Sequence, residues 1–429
     1  MSSLSTRIVQ ISAVLLAAGY IGVYATGRAS APIRSDGFSY YVYLPSWFIF
    51  GDPTLAAVAH DCCGGEFPEY TAIVRWPGTR QWVNAHPIGV AIMQAPVFLA
   101  AHGLTKWSNL SADGFTLYYQ HAAGLSGLIW TVAGLWVLRG LLRRHFIEGV
   151  TAATLLVVLF GTSLFHYATY DSTYSHAYSF FLFSAFLDVT ERWHRHPSRG
   201  LSILVGLAGG LIVLTRHTNV LFLLVFALYG VTGRSSLGAT IERFRTHWRE
   251  LAVVFVSATA VVAPQLAIYY QATGHALVSP YGALGFDFGA PRLFGVLFSV
   301  QKGVFFWSPL LLLGVVGLAM ARQTVRPFLL PVAVFLVVNT YLIASWWDWQ
   351  FGGSYGHRGF VDSLPIFALG IATVFEWSAR QPVRRAVTAL AAGVLVALSI
   401  FQMLQYWNGV IPISDTTWGQ YRAAFLRFR

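Results

Sequence analysis

Uncharged apolar runs of roughly 20 residues recur along almost the whole chain,. That length matches a helix crossing a hydrocarbon core of about 30 Å. An outer-membrane barrel would instead alternate apolar and polar residues in segments of about ten. Only 10% of the residues are charged and 56% are hydrophobic, whereas a soluble domain carries roughly a quarter charged residues. A soluble enzyme and a disordered chain are both excluded. The expected fold class is an all-α polytopic membrane protein, built as one module over 1–429. Eleven spans are predicted, near 8–26, 117–138, 148–168, 174–190, 201–215, 218–232, 251–270, 308–321, 327–345, 361–377 and 386–404. The fifth, sixth and eighth are short for a bilayer.

The apolar stretch from Pro87 to Gly103 is not counted as a span. It contains Pro87, Pro96 and His102, and counting it would invert the charge pattern. It reads as an interfacial or buried helix within a long first loop, 27–116. The other large outer segments are a loop at 271–307 and a tail at 405–429. The first span exceeds the length of a signal-peptide core and follows a single arginine, so it reads as an anchor.

The net charge of +11 would suggest nucleic acid in a soluble protein. With the N-terminus inside, the inner segments hold 16 basic and six acidic residues, and the outer ones 12 and 11. The inner basic residues sit in short loops, so the bias is topological and calls for no nucleic-acid partner.

The unusual polar residues gather on the outer side in four places. Asp36 follows the first span and precedes a segment rich in rings, including Tyr40. Such a carboxylate can act as general base for a hydroxyl, bind a divalent cation or cap a helix; the residues alone leave these open. The second place, Ser163 to His176, holds His166, Asp171 and His176. Their spacing does not match a compact zinc signature, which leaves ligand hydrogen bonding or simple loop solvation. Arg216 lies third, between two long apolar runs; an arginine at that depth marks an anionic partner or snorkels to headgroups. The fourth combines Lys302 with the run from Trp346 through Trp349 and Gln350 to His357 and Arg358. A glycine-rich turn with a cation at a helix start is a ready anion site, although an aromatic belt with a capped turn is the structural alternative. Cys62 and Cys63 are adjacent, so a bridge between them would be strained; they read as bystanders or as a redox-labile pair.

The Walker A, dinucleotide-binding, zinc-protease and serine-hydrolase signatures are all missing,. A flippase would carry ionisable residues deep within several spans; the span interiors here are nearly free of charge. A ligase for whole glycans and a noncatalytic assembly protein are the other rivals.

The pieces Ser35-Asp36-Gly-Phe-Ser-Tyr-Tyr, His86-Pro-Ile-Gly, Thr215-Arg216 with Asn219, Gln301-Lys302-Gly with Trp307-Ser-Pro309, and Trp349 to Arg358 together resemble the GT-C superfamily of polyprenol-dependent membrane glycosyltransferases. The bacterial members like glycosyltransferase family 39, and the protein O-mannosyltransferases, are the nearest in pattern. The resemblance implies transfer of a sugar from a polyprenyl-phosphate donor to a glycan, lipid or protein acceptor at the outer face of a bacterial inner membrane. It implies a catalytic role for Asp36. Arg216, Lys302, His357 and Arg358 would hold the donor phosphate. Tyr40, His86, Asp171, His176, Trp349 and Gln350 would line the substrate path. The second motif is often His-Pro-Pro or Lys-Pro-Pro in relatives, and here it reads His86-Pro87-Ile88. No cofactor or metal is required by the pattern, which leaves room for a divalent cation.

Overall fold

The computed structural model describes residues 3–281, 284–321 and 325–428. It is almost entirely helical. Among the described residues, six helices are long and apolar enough to cross a membrane: Leu4–Ala25, Leu117–Arg143, Trp248–Thr273, Arg326–Ser345, Arg358–Ala379 and Pro382–Trp407. Four shorter apolar helices accompany them, at Glu148–Phe160, Arg199–Thr215, His217–Leu228 and Leu310–Ala319. These helices mark a helical membrane protein. The predicted span near 174–190 is the helix Ser175–Arg195. Its Ser, Thr, Tyr and His residues are buried against neighbouring helices, so it lacks the hydropathy of a lipid-facing span. The predicted span 148–168 is two helices, Glu148–Phe160 and Leu164–Thr169, broken where the Thr162 hydroxyl turns back to the Val158 carbonyl.

Burial sorts the helices into centre and rim. The apolar window of Arg358–Ala379 is 94% buried, and that of Trp248–Thr273 only 6%. The first is the hub and the second presents its flank outward. Hub contact is close because small residues permit it. A Cβ on Gly317 would lie 1.8 Å from the Gly370 carbonyl oxygen, so helices Leu310–Ala319 and Leu364–Ala379 touch backbone to backbone.

The first loop forms a small subdomain with its own apolar core. Short helices Asp36–Tyr41, Tyr43–Phe48 and Ala56–Cys63 precede an antiparallel ribbon, Ile73–Arg75 with Trp82–Asn84. That ribbon is absent from the sequence reading. The helix Gly89–Trp107 follows. Its entry is fixed at Ile88, whose N–H donates to Gln265; near its exit, His102 meets Tyr119 at the start of Leu117–Arg143. Between these points it packs along Leu117–Arg143, where the Trp130 indole donates to the Met93 carbonyl. Cys62 and Cys63 are bonded to each other. The tail beyond Trp407 folds back through the helix Trp418–Ala424, held where Gln405 donates to the Ala424 carbonyl.

Candidate functional site

Gly37 brings the first loop to the bundle. A Cβ there would fall 2.0 Å from the Thr173 hydroxyl, so only glycine lets the short helix Asp36–Tyr41 lie against residues 173–174. Ser35, just before it, is held at φ 47°, a region that L residues seldom occupy,. Together these aim Asp36 at the start of the hub helix. The Asp36 carboxylate is 2.8 Å from an Arg358 amine nitrogen, and His86 Nε2 is 3.9 Å away.

Arg216 and Arg358 face the same ring. The guanidinium carbons lie 5.1 Å and 5.8 Å from the centroid of Phe351. Phe351 has φ 55° and is followed by Gly352 at φ 59°, so the loop before the hub turns through two consecutive left-handed residues. Such strain concentrates at functional sites. The Arg358 guanidinium also sits 5.5 Å from the Tyr174 ring. Two cations thus lie at one aromatic ring.

Asp362, one helical turn beyond Arg358, was absent from the sequence-derived set. It accepts from His176 at 2.9 Å and Asn219 at 3.0 Å, and lies 3.7 Å from Arg216. An ionisable group entering an apolar run was the signal that could have found it. Arg34 was missed as well. It donates to Asp171 at 2.8 Å, while His166 Nε2 meets the other Asp171 oxygen at 2.9 Å. Trp407 Nε1–H donates to His166 Nδ1 at 2.8 Å, so a neutral His166 carries its proton on Nε2 and donates to Asp171.

Three carboxylates are thus each paired with an arginine, but only one stays open. The Asp36 side chain is 24% exposed, against 7% for Asp171 and 2% for Asp362. Burial opposes ionisation of Asp36, but Arg358, then His86, His176 and Arg216, hold its carboxyl below the usual range,. Burial likewise opposes ionisation of Asp171, but His166 and Arg34 outweigh it and lower its carboxyl to about 2. Burial pushes His86 down to about 4 and His357 to about 3, with Lys302 and Arg216 reinforcing the latter. Both rings are therefore neutral at pH 7. Neither ring nitrogen of His357, nor Nδ1 of His86, has a partner meeting hydrogen-bond geometry among the described residues. Buried polar atoms without partners are uncommon and point to a missing ligand.

The remaining expected residues lie around this centre. Tyr40 is buried with its ring edge-on to His86 at 4.5 Å. Trp349 lies over Gly295, and Gln350 accepts from Gln301 at 2.9 Å. Lys302 lies behind the glycine loop: its amine donates to the carbonyls of Ser354 and Ile413, joining the loop to the C-terminal tail. Burial and then Arg358 lower its pKa to about 7. Among the described residues no three His, Cys, Asp or Glu side chains converge to hold a metal ion.

No protein-family model matches the chain, and no curated protein matches it in sequence.

Proposed function

We propose that the protein is a membrane glycosyltransferase, moving a sugar from a polyprenyl-phosphate donor to an acceptor hydroxyl. The observation that carries this reading is an open carboxylate, Asp36, held beside two arginines that share the Phe351 ring. The resemblance of the motifs to GT-C transferases supports it. In this reading the chain has about eleven spans, sits in a bacterial inner membrane and works on the periplasmic side.

Arg358 and Arg216 take the donor phosphate, for which a planar guanidinium is well suited. They stabilise the charge that grows on it as the sugar–phosphate bond breaks. Asp36 accepts the proton of the acceptor hydroxyl while that oxygen bonds to the anomeric carbon. The ion pair gives an order to these events. A bound phosphate draws Arg358 away from Asp36, and loss of that cation raises the basicity of the carboxylate. His357 and His86, both neutral, offer hydrogen bonds to the sugar. Lys302 holds the glycine loop in place from behind.

The test is transfer of labelled sugar from a panel of polyprenyl-phosphate sugars by the full chain in proteoliposomes. Transfer from at least one donor is the expected result. Translocation of lipid-linked sugar without transfer assigns a flippase instead, and movement of an intact oligosaccharide assigns a ligase.

A further inference from the structure

A cavity separate from the Asp36 centre lies where the C-terminal tail meets the exit of the helix Leu4–Ala25. It holds about 740 Å³ and is lined by Arg28, Asn408 to Val410, Pro412, Gln420 and, from the tail, Ala423, Ala424, Arg427 and Phe428. Two arginines line it, and among the described residues no Asp or Glu side chain does. Arg28 follows the apolar helix Leu4–Ala25 directly. Its Nε donates to Asn408 Oδ1 at 3.0 Å and one terminal nitrogen donates to Thr26 at 2.8 Å. Asn408 ends the apolar helix Pro382–Trp407, so the cavity sits at the shared end of two candidate spans.

The tail is fixed there. Gln405 Nε2 donates to the Arg427 carbonyl at 2.6 Å, and the Phe428 ring contacts Phe401 on the long helix. Arg427 is solvent-exposed and its side chain has no acidic partner within ion-pair distance among the described residues. Around it Phe425, Leu426 and Phe428 are exposed too. Arginine beside exposed Phe and Leu is the make-up of a segment lying at a membrane surface. The flanks below are apolar and open: the windows of the two long helices are only 28% and 22% buried.

We propose that this cavity binds the phosphate of an anionic glycerophospholipid, with Arg28 and Arg427 as its cationic contacts. Two cations with no Asp or Glu beside them among the described lining residues favour an anion. Their place at the ends of two lipid-exposed helices selects one that brings its own acyl chains. This site is separate from the Asp36 centre and does not depend on the function proposed for it.

The test is native mass spectrometry of the full chain in detergent, titrated separately with phosphatidylglycerol, phosphatidylcholine and inorganic phosphate. The wild type is expected to hold phosphatidylglycerol more tightly than phosphatidylcholine. Replacing both arginines by alanine should weaken phosphatidylglycerol roughly thirtyfold and each alone about fivefold. Arg427→Glu, at an exposed position that tolerates change, should weaken it further. Unchanged phosphatidylglycerol affinity in Arg427→Glu and the double variant overturns the proposal. So does inorganic phosphate displacing the lipid at equal concentration, which would make this a site for free anions.

Discussion

The two ends of the bundle use the same chemical pair, arginine with carboxylate, for opposite purposes. At the end away from Asp36, Glu191 is fully buried and surrounded: Arg195 at 2.5 Å, Arg144 at 2.9 Å and His145 at 2.9 Å. Arg144 also reaches Asp188 at 2.7 Å, and Arg143 reaches Glu148 at 2.7 Å. Glu148 in turn accepts from the Ser5 backbone at 2.5 Å. These groups stand on regular helix ends and tie the first helix to its neighbours. At the site end Asp36 and Arg358 stand at helix starts entered through loops with left-handed residues, Ser35 in one and Phe351 and Gly352 in the other, and Asp36 stays open. One network fastens helices; the other holds charge ready for a ligand. A buried pair resists loss of either partner because the survivor is left without compensation, whereas an open pair can exchange one partner for substrate.

That contrast can be broken by substitution. The largest effect expected is on turnover. Arg358→Ala should lower kcat/KM by about 10²–10³, read from sugar transfer in proteoliposomes, while Arg144→Ala leaves the turnover of folded protein unchanged. Equal losses in both would erase the distinction. Next comes Glu191→Gln, which should cost about 3 kcal/mol of stability, seen as a lower unfolding midpoint, with transfer intact well below that midpoint. A smaller effect belongs to Asp171. Its folded pKa is depressed to about 2 from 3.8, so its stabilisation is present above pH 4 and is lost as pH falls through 2. Integrated, this is about 2 kcal/mol, and Asp171→Asn should flatten the unfolding midpoint across that acid window; a profile as steep as wild type would count against the pairing. Smallest is Arg192→Ala. Its pair with Asp188 is long, at 3.4 Å, with the arginine 53% exposed, and the change should fall within about 0.5 kcal/mol.

Much of this architecture was legible in the residues. Six of the predicted spans fall on helices that, among the described residues, are long and apolar enough to cross a membrane, since continuous apolar runs in lipid must satisfy their backbone hydrogen bonds internally. The break at Thr162 was not visible, since a hydroxyl returning to the Val158 carbonyl costs the sequence pattern nothing. The ribbon 73–75 with 82–84 was missed because three-residue strands carry no readable period. At the site, Asp36, Arg216 and Arg358 stand out as charges beside apolar or glycine-rich segments, and the structure brings these three to one place. Asp362 and Arg34 were hidden for a different reason. Their importance comes from partners 143 and 137 positions away in the chain, Asn219 and Asp171, and pairing at that range has no local signature. Lys302 illustrates the converse: a conspicuous cation whose amine meets backbone carbonyls behind the loop.

The central claim is that Asp36 is the group that works at the open end. The most direct measurement is the turnover of Asp36→Asn, reconstituted beside wild type with the donor that wild type uses, together with its unfolding midpoint. The predicted result is a loss of about 10²–10⁴ in turnover at a midpoint close to wild type. Full turnover by a folded Asp36→Asn protein would contradict it.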